Sequence, residues 1–109
     1  MDELIKTYTG DIDLLLTEVC MTAAMHGLDQ AVTGIAEHLR DLPRTEGAAL
    51  LAQSLSKTAV RDYAQAVAFA DRVLGNPHMA SLHGEAAAFR QLAEQMGAGQ
   101  APQPLVTGP

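Results

Sequence analysis

The sequence predicts an all-α protein built from antiparallel helical hairpins. Apolar residues recur at helical spacing over most of the chain, and no stretch alternates with a period of two. The β-branched residues are dispersed. Hydrophobic residues make up 48% of the chain but aromatics only 4%, with no Trp, so the core must be assembled from Ala, Leu, Val and Met.

The first helix is predicted over about Asp11–His26, with Ile12, Leu15, Leu16, Val19, Cys20 and Ala23 at helical spacing. Gly27 ends it, because glycine tolerates the left-handed conformation that closes a helix. The second covers about Asp29–Asp41, with Ala31, Val32, Ile35, Ala36 and Leu39 on one face and Pro43 blocking its continuation. The third covers about Thr45–Ala59, with Ala48, Leu51, Ala52 and Leu55 inward.

The fourth helix opens at Asp62, a cap to which Gln65 can reach back. Ala66, Val67, Ala70, Val73 and Leu74 form its stripe, and Gly75 closes it. Asn76 and Pro77 then open the fifth helix as cap and first turn, running through Leu82, Ala86, Phe89, Leu92, Ala93 and Met96. Residues 97–109, "GAGQAPQPLVTGP", carry no apolar period and read as a flexible Gly/Pro tail beyond a helical domain of residues 1–96.

Loops this short make consecutive helices antiparallel. A shift of 35 residues lays Leu16 on Leu51, Cys20 on Leu55, Leu28 on Tyr63, Ala31 on Ala66 and Leu39 on Leu74. Each unit is then a helix, a tight turn, a second helix with Ala near its start, and a Pro. Ala31 and Ala66 are expected where the paired helices approach most closely.

The formal net charge is −6 and the seven basic residues are scattered singly, which leaves no clustered face for nucleic acid. The single Cys precludes an internal disulfide and fits a reducing compartment. The start "MDELIKTYTG" lacks the basic and apolar regions of a secretory signal, and no run reaches membrane-spanning length. A cytoplasmic location is expected.

The segments "HGLDQAV" and "RDYAQAV", with the Pro that ends each unit, resemble the tetratricopeptide-like repeat, whose period is about 34. Both units lack the large aromatic that usually opens the first helix. The fold expected is therefore two degenerate tetratricopeptide-like repeats plus a C-terminal capping helix. "GIAEHL" at 34–39 and "SLSKTAVRDYAQAV" at 54–67 resemble the small tetratricopeptide-like chaperones of bacterial type III secretion. A neighbouring family of small secretion proteins from plant-associated bacteria is also similar. The first resemblance implies a chaperone that binds a needle-forming subunit before export, beside a second small helical co-chaperone, without cofactor or metal.

Two repeats fall below the number that usually supports an isolated array, so a partner would offset the deficit. The first helix is apolar nearly all round, which predicts burial on more than one side. The groove expected for an amphipathic partner helix is lined by Leu16, Met21, Ala24, Met25, Leu50, Leu51 and Leu55. Within this set, Leu16, Leu51 and Leu55, with Val19, Cys20 and Ala23, also fit the core period. Met21, Met25 and Leu50 are the residues left for a partner. The alternative is a self-associating module whose first helix packs on its twin.

Other chemistry is weakly supported. His26, His38, His78 and His83 form no metal-ligand spacing and read as solvated or capping residues. Asp11 and Asp13 suit the start of a helix dipole better than an acid/base pair. Cys20, in an apolar face, reads as an inert thiol. No phosphate-binding or nucleophile motif appears, so no enzyme is expected. Lys57 alone cannot make a carboxylate clamp, and a helix-turn-helix through 45–74 would lack phosphate attraction.

Overall fold

The computed structural model describes the backbone of residues 2–100 and the side chains of 12–99. Within these residues lie five α-helices and no strand: α1 (Asp2–Met25), α2 (Asp29–Arg40), α3 (Glu46–Ala59), α4 (Tyr63–Leu74) and α5 (His83–Gln100). A 3-10 helix, Pro77–Leu82, leads into α5. The all-α fold of packed hairpins is as the sequence predicts.

Polar contacts fix the antiparallel pairing. On α1 and α2, Asp13 meets His38 near one end and Cys20 meets Val32 nearer the other. On α2 and α3, the Thr45 hydroxyl donates to the Leu39 carbonyl while Ser56 and Lys57 donate to the Asp29 carboxylate. On α4 and α5, Arg90 pairs with Asp71 and Gly97 lies against the Tyr63 ring.

Matching contacts in the two hairpins stand 34 residues apart, one fewer than the shift of 35 expected from the sequence. Cys20 Sγ points at the Val32 carbonyl at 3.9 Å, and Ser54 Oγ donates to the Ala66 carbonyl at 2.7 Å. The Leu28 amide donates to Ala23 O and the Asp62 amide to Lys57 O, at 2.9 and 2.8 Å. Gly27 and Arg61 hold the same left-handed backbone, φ 71° and 65°. Buried Val32, Ala36 and Leu39 on α2 correspond to buried Ala66, Ala70 and Val73 on α4. Ala31 is therefore exposed rather than at the close approach, since one position of slip rotates a helical residue by about 100°.

Two helix ends also differ from expectation. α1 starts at Asp2, so Asp13 sits inside the helix, buried, with His38 Nε2 at 3.4 Å and Arg44 Nη2 at 3.7 Å. Its place is a helix contact, not a helix start. α5 continues past Met96 to Gln100, and at Gly97 the Tyr63 side chain packs close against the bare Cα, where a Cβ would stand 3.4 Å from it. The rest of the expected tail, 101–109, lies outside the described residues. Asn76 caps as expected by accepting from the His78 amide, but the helix it opens is the 3-10 helix, kinked at Met79 (φ −106°, ψ 23°), and α5 begins only at His83.

α3 is the enclosed helix. It packs against the four others, and no residue from 45 to 58 is exposed. Gly47, Ala49, Ala52, Ser54 and Ser56 make this approach possible. The buried hydroxyls are paired: Ser54 with Ala66 O, Ser56 with Asp29 Oδ1, Thr58 with Ser54 O and Thr45 with Leu39 O. One apolar cluster joins Cys20, Ala23 and Ala24 to Val32, Ala36, Leu39, Ala49 and Ala52; another joins Leu50 and Leu51 to Val73, Met79 and Ala86.

Truncating Leu50 to Ala is expected to cost about 2–5 kcal/mol in denaturant unfolding, the range for an enclosed leucine. Arg61→Gly is expected to raise stability by up to about 1 kcal/mol, by relieving a left-handed backbone that a Cβ disfavours.

Candidate functional site

The expected groove does not survive as a unit. Leu50 and Leu51, each 1% exposed, and Ala24, fully enclosed, belong to the core. The physical reason is the enclosure of α3: a helix surrounded by four others has no open side with which to line a groove. Leu16, Met21 and Leu55 are half-buried and pack against the apolar clusters, Met21 against both. Of the seven residues only Met25 is exposed.

The exposed apolar surface lies on α1, which is an edge helix rather than one buried on several sides. Ile12, Leu15 and Val19 are 54%, 58% and 45% exposed, and Leu28 lies open in the turn beyond them. Ile12, Leu15 and Val19 stand at i, i+3 and i+7 on one stripe. Val19, expected in the core, instead borders a shallow open depression of about 280 Å³ with Thr22, Ala23, His26 and Leu28. Leu14 and Met25 are exposed on the opposite flank of the helix. On α5, Leu92 and Met96 are exposed too, leaving Ala86 and Ala93 buried and Phe89 half-buried as its inner side, with Leu82 half-buried in the 3-10 helix before it.

The other chemically notable residues have local roles. His26 Nδ1 lies 2.8 Å from Thr22 O, and His83 Nε2 lies 3.0 Å from Asn76 O. Among the described residues no three His, Cys, Asp or Glu side chains gather as a metal site. Cys20 is buried, and that burial pushes its thiol above the usual range, which disfavours the thiolate needed for nucleophilic chemistry. Gln65 completes the Asp62 cap with its own amide on Asp62 Oδ2. No described helix is long and apolar enough to cross a membrane.

Asp29 is tied between helices by two short hydrogen bonds. Hydrogen bonds from Lys57 Nζ at 2.9 Å and Ser56 Oγ at 2.7 Å hold it below its ordinary value. They pin the first residue of α2 onto the end of α3. No protein family, curated protein or solved structure is matched by the chain.

A carboxyl depressed in the folded state contributes stability that is complete above its unfolded pKa, about 4, and lost as pH falls through the lower folded value. Wild type is therefore expected to lose stability on acidification across that window by more than Asp29→Asn does, with the variant already weaker at pH 7. Parallel stability curves from pH 6 to pH 2 would show that Asp29 is not tied in this way.

Proposed function

We propose that this chain is a non-catalytic, cytoplasmic helix-holding protein. It would act as a chaperone of the tetratricopeptide-like kind, keeping an amphipathic helix of a small self-assembling secretion subunit covered before export. The 34-residue recurrence of the hairpins supports the repeat-like reading. The observation that carries the binding reading is the open stripe of Ile12, Leu15 and Val19.

Burying a large aliphatic side chain fully is worth about 1.5–3 kcal/mol, so each of these half-exposed residues leaves about half of that unrealised. An amphipathic helix laid along α1 would recover it and add mass-action stability to the folded state. The binding site in this reading is the outer stripe of α1, in place of a groove between α1 and α3. The same apolar row on a self-polymerising subunit would be shielded while bound.

Val19→Asp is expected to keep the helical circular-dichroism signal, because the side chain points outward, and to abolish binding. The check is a tagged-bait purification from the native cell with wild type and variant in parallel. The reading expects a small helical protein retained by wild type and lost with Val19→Asp. Identical sets of co-purifying proteins would remove the outer stripe as the binding surface.

A further inference from the structure

The 34-residue recurrence says what kind of surface the open stripe is. Moved by that offset, Leu15, Val19 and Thr22 of α1 fall on Ala49, Gln53 and Ser56 of α3. Those three α3 residues are buried. Ala49 joins Ala52 in the cluster with Val32, Ala36 and Leu39 of α2, and Ser56 donates to Asp29 at the start of α2. The face is therefore the one on which the preceding hairpin's second helix packs. On α1 nothing among the described residues takes that place, because residues 2–11 continue α1 rather than folding back along it.

The open face is also the more apolar of the two. Leu15 and Val19 stand where the covered face has Ala49 and Gln53. The covered face buries Gln53 there, with its Oε1 making no hydrogen bond among the described residues, while the uncovered one carries Leu and Val. Solvent exposure alone would favour the reverse.

We infer that the α1 stripe is a stacking seat for a helix supplied by a partner protein, with the residue pattern of α2. This inference rests on the function proposed above and specifies its partner. The occupant runs antiparallel to α1, as α2 runs on α3. It presents small or branched aliphatic residues at i, i+4 and i+7, in the manner of Val32, Ala36 and Leu39. A carboxylate in its first turn lies beside Thr22, whose hydroxyl takes the part that Ser56 plays toward Asp29, while Ala23 stands where Lys57 completes that site, so the hydroxyl alone holds it. The depression bordered by Val19, Thr22, His26 and Leu28 receives the side chains at that end.

The chain's own second helix is the probe. A synthetic peptide of residues 28–42 is titrated into the isotopically labelled full chain, and amide shifts are followed by NMR. The expected result is saturable shifts at Leu15, Val19, Thr22 and Ala23, lost with the Val19→Asp protein and with a peptide carrying Val32→Asp. A peptide carrying Asp29→Asn should bind more weakly than the parent. Shifts confined to the α2–α3 contact, shifts that persist in Val19→Asp, or no shifts at all would overturn the inference. So would a dimer that Val19→Asp dissociates, because the occupant would then be a second copy. If the peptide fails while Val19→Asp still releases the native partner, the α2 pattern is wrong and the binding surface stands.

Discussion

The rest of the structure depends on the enclosure of α3. A helix with no exposed position from 45 to 58 can exist only if its neighbours approach closely on every side. Gly47, Ala49, Ala52, Ser54 and Ser56 supply the clearance. Small residues bury little apolar area each, so the enclosed helix relies on many close contacts and on paired hydroxyls. Ser54 and Ser56 illustrate the arrangement: each binds a different neighbouring helix, α4 in one case and α2 in the other.

Placing α3 at the centre makes α1 an edge. α1 carries Cys20 and Ala24 on its inner side, with Leu16 and Met21 half-buried beside them. Among the described residues no second helix covers Ile12, Leu15 and Val19. The surplus of aliphatic side chains on this helix is thus a property of its outer surface and not a sign of central position. Stability draws on the inner side of this helix and the proposed binding on the outer, so a charge placed on the outer side separates the two.

Much of this was legible in the sequence. The class, the antiparallel hairpins and the bounds of α2, α3 and α4 follow from apolar period and capping residues such as Asp62. The sequence suggests an offset of 35 because "QAV" recurs at 30–32 and 65–67, a separation of 35. The packing equivalence instead joins unlike residues, Cys20 with Ser54 and Val32 with Ala66, matched by their place at a close approach rather than by identity. The sequence points to a groove for a related reason. A helix with apolar residues on several sides shows that something must cover them, but only tertiary packing decides which side the chain covers itself. Leu50 and Val19 exchanged their expected roles on that account. The sequence starts α1 too late because Thr7, Tyr8, Thr9 and Gly10 are poor helix formers, yet the helix runs through them.

Thiol labelling of two adjacent positions tests most directly whether α1 has one covered and one open side. Native Cys20 is compared with a Val19→Cys variant in which Cys20 is replaced by Ala, each in the isolated, folded protein. The account predicts that the thiol at position 19 reacts at the rate of a solvent-exposed cysteine, while Cys20 reacts only as fast as the fold opens. Equal, slow labelling at both positions would contradict it, because α1 would then be covered on the side proposed to receive a partner.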